Sequence, residues 1–326
     1  MESLPPSRKR ILEVLPVSAV VPTRQRAQVF ARTLDSLCEQ GVLPGELIVV
    51  DASDDEATRE VLASFGQAAG PACKVKYLRA ERPGAAVQRN QGIAAVTQPF
   101  VWFMDDDILF EPECVSRLWR AMAADPQLGG VNAMITNQQY HPPGRVSRAV
   151  FTLLHGRREH SFAGRIIGPA VNLLPEDRSD LPEVVPVEWL NTTCTLYRRE
   201  ALPHPPFDSI FTGYSMMEDV TLSVRVGRTW HLANARTARI FHDSQLGAHK
   251  ADVSALAAME LVNRHYVMTQ VLRRDQWRDF LRLFVWEAFQ MAVGAARADS
   301  RRKLPALWRG KWQAVKKICA APCTLQ

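Results

Sequence analysis

Four short strand-like runs recur across residues 17–104, and after each of the first three comes a stretch with apolar residues at helical spacing. Val17 to Val21 ends at Pro22, and Val29, Phe30, Thr33, Leu34 and Leu37 then fall at helical spacing before Gly41. Leu47 to Val50 closes on Asp51, with helical character from Glu56 to Phe65. Lys74 to Leu78 predicts a third strand, Ala85 to Val96 a helix, and Phe100 to Met104 a fourth strand that stops at Asp105, Asp106 and Asp107. This alternation is the pattern of a βα-repeating domain. Runs that are continuously apolar need a sheet covered on both faces, as parallel sheets are. The expected fold class is therefore α/β, with a central, mostly parallel sheet flanked by helices.

The chain has 326 residues, 47% of them hydrophobic, which is enough for one large domain or two small ones. Residues 127–246 are less regular, richer in Pro, His and aromatic residues, and long irregular segments of this kind carry binding function. Beyond His249 the pattern is helical again. Val253, Leu256, Met259, Val262 and Tyr266 form one apolar stripe, and Trp277, Phe280, Leu281, Phe284, Val285, Ala288 and Met291 form another. Packing on the core is the first expectation for both stripes, with a cap over the domain or a face lying on a membrane as alternatives.

Net charge is +6, and residues 300–326 account for it, with seven basic residues, no acidic one, and Trp308 and Trp312 interleaved. Such a tail suits an anionic membrane surface, a polyanion or plain solvation. The apolar stretch 284–298 contains Glu287 and is too short to cross a bilayer. MESLPPSRKR lacks an apolar region behind its basic residues, so a cytoplasmic location is expected, and the six scattered cysteines read as reduced thiols.

The chemistry-bearing residues cluster at strand ends, where open α/β sheets bind ligands. Pro22, Thr23 and Arg24 follow the first strand, Asp51 and Ser53 the second, and the three aspartates the fourth. Crowding three carboxylates is costly unless a cation shares the charge. Mg²⁺ or Mn²⁺ held by one or two carboxylates and phosphate oxygens is the natural remedy; an acidic surface turn is the alternative. Asp51 can accept hydrogen bonds from a base or ribose, or cap a helix together with Ser53 and Asp54. Arg89 and Asn90 follow Gly84 on the next helix, where a guanidinium can meet a phosphate or a base edge.

Taken in order, these segments resemble the family 2 glycosyltransferases of GT-A fold from about Val17 to His242. The matching elements are VSAVVPTRQR, LIVVDASDD, QRNQGI, the Asp-x-Asp element in WFMDDDILFEP, TLYRREAL with PPFD, MEDVTLSVRVG, and ARIFHD. The resemblance implies a metal-dependent, inverting transfer of one sugar from a UDP, GDP or dTDP sugar to a saccharide or lipid-linked saccharide. It gives Asp51 the nucleotide base, Thr23 and Arg24 the pocket wall, and Arg89 the donor. Asp105 and Asp107 become the outer carboxylates of Asp-x-Asp, Asp106 the variable position, and Asp107 the direct ligand of Mn²⁺ or Mg²⁺, with His242 approaching the metal or diphosphate. Asp219 becomes the general base, with Glu218 its neighbour. Trp189, Asn191, Thr192 and Thr193 fall where such enzymes contact sugars, and Trp189 suits either stacking on a sugar or the core.

The implied organisation is a basic leader over 1–16, a nucleotide-sugar half over 17–110, an acceptor half over 111–248, and a helical extension with basic tail over 249–326. Processive polysaccharide synthases of the family carry a Gln-x-x-Arg-Trp element and transmembrane helices; SVRVGRTW does not fit that element, so a single addition per encounter is expected. Two other readings compete. A sugar-phosphate nucleotidyltransferase has a Gly-rich opening loop where VVPTRQR stands here, and a non-catalytic polyanion binder has no need of Asp51, the aspartate run or Asp219. No nucleic-acid partner is expected.

Overall fold

The computed structural model describes residues 13–244 and 252–320. Most of the leader, the boundary placed at 248 and the end of the tail at 321–326 lie outside the described residues. In chain order the first half runs β1 (Glu13–Thr23), α1 (Ala27–Cys38), β2 (Val42–Asp51), α2 (Ala57–Ala69), β3 (Lys74–Arg79), α3 (Ala85–Ile93), β4 (Phe100–Met104), β5 (Ile108–Phe110), α4 (Cys114–Ala124) and β6 (Leu128–Ile135). Then follow α5 (Arg145–His155), β7 (Ile166–Ile167), β8 (Val171–Asn172), β9 (Val184–Pro186), β10 (Cys194–Arg198), α6 (Glu218–Val226) and β11 (His231–His242). Four helices close the described chain: α7 (Val253–Tyr266), α8 (Trp277–Ala296), α9 (Ala298–Arg301) and α10 (Leu304–Ala320).

The main sheet has the order β3-β2-β1-β4-β10-β6-β11-β5, with β9 added on β11. Strands β3, β2, β1 and β4 are parallel, as are β6 and β11; β10, β5 and β9 run against their neighbours. Both faces are covered, as the unbroken apolar runs require. Because successive side chains point to opposite faces, Ala19, Val21, Leu47 and Val49 enter one core, while Val20 and Ile48 enter another on the far side.

One connection fixes the shape of the whole sheet. β5 pairs with β11, four strand spacings from β4, which in a flat sheet is about 19 Å. Yet the four residue steps from Met104 to Ile108 reach at most about 14 Å. The sheet must curl, and it brings its β5/β11 edge round to the aspartate turn. The pairing of Ile108 with His242 then sets His242 beside Asp107.

Helix α3 lies unusually close to the sheet. A Cβ on Gly92 would come within 2.5 Å of Val20 Cγ1 and 3.2 Å of Val50 Cγ2, so only glycine allows this approach. The C-terminal helices depart from the simplest reading of their pattern. Helix α8 buries Leu283 and Trp286, whereas Trp277, Phe280, Leu281 and Phe284 of its apolar stripe face outward. Among the described residues no helix is long and apolar enough to cross a membrane.

The Gly92→Ala substitution is expected to destabilise the fold by about 1–3 kcal/mol through overpacking, despite alanine's better helix propensity. Urea unfolding followed by circular dichroism measures it; an unchanged or raised midpoint would contradict the close packing of α3 on β1 and β2.

Candidate active site

The aspartate turn is built from both sides. Thr33 on α1 grips its backbone: the hydroxyl donates to the Asp106 carbonyl at 2.9 Å and accepts from the Ile108 N–H at 3.2 Å. On the other side the Asp105 N–H donates to the Thr193 carbonyl at 2.9 Å, and the Asn191 amide oxygen accepts from the Thr193 N–H at 3.3 Å. Asn191, Thr192 and Thr193 are buried, and through these bonds the segment before β10 braces Asp105.

The three carboxylates are shared between two arginines, with further bonds to Thr23 and His242. Asp105 accepts from Arg89 Nη2 at 2.7 Å. Asp106 turns inward, accepting from the Thr23 hydroxyl at 2.6 Å and from Arg26 Nη1 at 3.2 Å. Asp107 pairs with the same Arg26 nitrogen at 3.0 Å and lies 3.1 Å from His242 Nε2. Burial and the neighbouring Asp107 push the Asp106 carboxyl up to about 7, against the pull of Arg26 and Thr23.

Asp105, Asp107 and His242 each present a ligand atom, and these atoms lie within 4.8 Å of one another. Two carboxylate oxygens and one imidazole nitrogen make a donor set suited to a divalent cation. Imidazole ligation at Nε2 requires the ring proton on Nδ1, which needs an acceptor. Gln138, 2.9 Å from that nitrogen, supplies one when its amide presents oxygen. The outer carboxylates of the Asp-x-Asp element thus converge with His242, and the central one serves the scaffold.

Helix α3 delivers the arginine. Gln88 pins it by donating to the carbonyls of Thr23 and Val50 at 3.0 and 2.7 Å, at the ends of β1 and β2. Arg89, wholly buried, then reaches Asp105 with one nitrogen and Glu218 Oε1 with the other at 3.0 Å. Glu218 and Asp219 open α6, in the first turn where the helix dipole favours negative charge. Burial, joined for Glu218 by the neighbouring Asp219, nevertheless raises both carboxyls above their ordinary range, with Arg89 opposing the rise. The loop before α6 docks on the start of α3, where the Ala85 N–H donates to the Gly213 carbonyl at 3.4 Å and Ala86 N–H to Ser215 Oγ at 3.4 Å. Tyr214 on that loop is exposed, and its phenol is raised by partial burial and by Asp105 and Glu218.

Asp51 is fully buried; one oxygen accepts from the Ser53 N–H and hydroxyl at 2.8 and 2.5 Å, the other from Tyr77 at 3.2 Å. The Ser53 hydroxyl in turn accepts from the Gln25 N–H at 2.7 Å, so Asp51 and Ser53 tie the β1 and β2 ends together. Pro22 is buried and Arg24 is exposed beside them. Asn90 uses both ends of its amide on the Phe207 backbone, at 2.7 and 3.1 Å, on the side of α3 where a cavity of about 730 Å³ opens. Of the two roles open to Trp189, the structure takes the core one: its ring is packed there and its N–H donates to the Leu173 carbonyl at 2.7 Å. Sequence reasoning missed Arg26, Gln88, Gln138 and Tyr214. A signal existed for Arg26 alone: three adjacent carboxylates need a cation, and two arginines stand in VVPTRQR.

The model of the family described as glycosyl transferase family 2 matches residues 18–202. Validoxylamine A glucosyltransferase of Streptomyces hygroscopicus subsp. limoneus is 31% identical over 111 residues, covering 33% of this chain and 24% of that protein. Chondroitin synthase of Escherichia coli is 30% identical over 123 residues, covering 37% of this chain and 17% of that protein. The matched segments span about a quarter or less of the curated relatives' own length. Among solved structures, the mannosyltransferase PcManGT of Pyrobaculum calidifontis, in complex with GDP-Man and Mn²⁺, superposes with a TM-score of 0.54 at 14% identity, covering 93% of this chain and 87% of that one. GalNAc-T7 with UDP, GalNAc and Mn²⁺ gives 0.52 at 15% identity, covering 71% and 44%. These likenesses establish the GT-A fold expected from the sequence.

Calorimetric titration with Mn²⁺ separates the three carboxylates. Asp107→Asn is expected to abolish detectable binding, and Asp106→Asn to weaken it by no more than the roughly 10–100-fold of an outer-shell change. Equal losses in both variants would contradict the division of labour within the turn.

Proposed function

The chain belongs to glycosyl transferase family 2, and from that premise we propose that it transfers one sugar, with inversion, from a nucleoside-diphosphate sugar to a hydroxyl of a saccharide or lipid-linked saccharide. The observation that carries this reading is the bridge from Arg89 to both Asp105 and Glu218, which puts the diphosphate-side carboxylates and an acidic pair in one site.

In this reading residues 17–110 hold the donor and 111–248 the acceptor. Thr23, Arg24 and the Asp51/Ser53 turn border the nucleotide. Asp219 lies within reach of the incoming hydroxyl and takes its proton as oxygen attacks the anomeric carbon and the bond from that carbon to the diphosphate oxygen breaks. Glu218 stays on Arg89, holding that guanidinium toward Asp105 and the departing charge. Mn²⁺ or Mg²⁺ held by Asp105, Asp107 and His242 would neutralise charge on the leaving nucleoside diphosphate. The proposed class is a non-processive hexosyl- or deoxyhexosyltransferase of polysaccharide or glycoconjugate synthesis. It works in the cytoplasm, peripherally on the inner face of the plasma membrane.

Three measurements test this. Thermal shift with UDP, GDP and dTDP in the presence of Mn²⁺ is expected to single out one nucleotide, since a native-state ligand raises apparent stability; no shift with any would refute the donor class. Asp219→Asn is expected to lower kcat by about 100-fold or more while that nucleotide still binds; near-normal turnover would remove Asp219 as base. The base must be ionised, and burial raises its pKa to about 6. Activity should therefore fall as pH drops through about 6, and an acid limb near 4 would contradict the assignment.

A further inference from the structure

We propose that helices α8 and α10 form a docking face for a lipid bilayer bearing anionic headgroups; this deepens the membrane element of the transferase reading and rests on it only for its purpose. Along α8, Trp277, Phe280, Leu281 and Phe284 are 70%, 42%, 51% and 69% exposed. These positions follow the helical repeat, so they form one continuous outward apolar stripe. The opposite face of α8 is already spent on the protein, with Leu283 and Trp286 buried.

Helix α10 repeats the arrangement. Gly310 and Ala314 face inward; a Cβ at Gly310 would meet the Ser254 carbonyl at 2.2 Å, so that side is closed against α7. Trp308 and Trp312, one turn apart, are 66% and 54% exposed on the other side. Lys311 turns inward to Glu260 and Glu287 at 3.0 and 2.9 Å, which attaches α10 to α7 and α8. The remaining cations, Arg309, Lys316 and Lys317, are exposed, as are Arg301, Arg302 and Lys303 just before the helix.

The choice of occupant follows from the chemistry of this face. A soluble polyanion would satisfy the cations and leave the α8 stripe in water. A second copy joined across a two-fold axis would bury the stripe and bring the basic helices together. An anionic bilayer satisfies both, taking tryptophans and phenylalanines at the headgroup boundary and cations at its surface.

The test is flotation of the full-length protein with phosphatidylcholine vesicles, with and without phosphatidylglycerol. Strong binding is expected only with phosphatidylglycerol, weakened by salt. Arg309→Gln/Lys316→Gln/Lys317→Gln should lower partitioning about 100-fold, from roughly fivefold per basic residue. Phe284→Ser and Trp312→Ser, at exposed positions, should each lower it while leaving the melting temperature unchanged. Absence of vesicle binding, or binding that survives the basic and the apolar changes, overturns the proposal. So does a dimer in sedimentation equilibrium that Phe284→Ser dissociates. Transfer to a water-soluble acceptor, measured in the same variants, stays at the wild-type rate if docking alone is lost, so failure of the docking face is distinguishable from failure of the transferase reading.

Discussion

A single buried guanidinium holds the two halves of the site together. Arg89 has left water entirely, and a charge in that position is tolerated only when it is paired and hydrogen-bonded. Its fork meets Asp105 from the β4 turn and Glu218 from the start of α6, segments separated by more than a hundred positions in the chain. The planar fork gives each carboxylate its own nitrogen, Nη2 for Asp105 and Nη1 for Glu218, where a lysine would offer a single nitrogen to both. Removing either carboxylate would leave the cation half-compensated, so the geometry of the turn and of α6 are mutually dependent. The close approach of α3 at Gly92 and the Gln88 bonds to the β1 and β2 ends fix where that fork can reach.

The same balance governs the aspartate turn. Its three carboxylates are divided among Arg89, Arg26 and Thr23, so that each has a partner even though Asp106 and Asp107 are adjacent and buried. The neutralisation is incomplete in electrostatic terms, because the Asp106 carboxyl is pushed well up despite Arg26. An added divalent cation at Asp105, Asp107 and His242 would relieve that excess directly. The curled sheet is what makes the third ligand available, since β11 ends beside Asp107 only because β5 pairs with it in this register.

The β1 to β4 half was legible because its signals are local. An apolar run, a polar residue at its end and a helical stretch after it need no knowledge of distant chain, and β4 spans Phe100–Met104 as expected. Placement of side chains was legible only where a strand end dictates it, as for Thr23, Asp51 and Asp105. Which arginine of VVPTRQR meets the carboxylates depends on the turn into α1, and Arg26 does so while Arg24 stays exposed. Gln138 was invisible because its partner, His242, is more than a hundred residues away. Periodicity grouped Trp277, Phe280, Leu281 and Phe284 on one face of α8 but added Val285, which packs beside Trp286, and it was silent on what the face meets. An amphipathic pattern states which residues share a face, and packing of Trp286 on the opposite side decided that this face turns outward.

The C-terminal helices are bonded to the site rather than appended to it. Asn263 on α7 donates to the Met216 carbonyl at 2.7 Å, two residues before Glu218. Tyr266, at the end of α7, donates to Asp208, which holds Arg225 of α6 with both oxygens at 2.6 Å. Arg264 donates to the Ala170 carbonyl at 2.9 Å, and Lys311 links α7 to both α8 and α10. A buried Arg264 and a set of half-buried ion pairs and hydrogen bonds this large are costly to displace one at a time. A surface that engaged α8 and α10 would therefore orient the loop carrying Tyr214 and the acidic pair along with them.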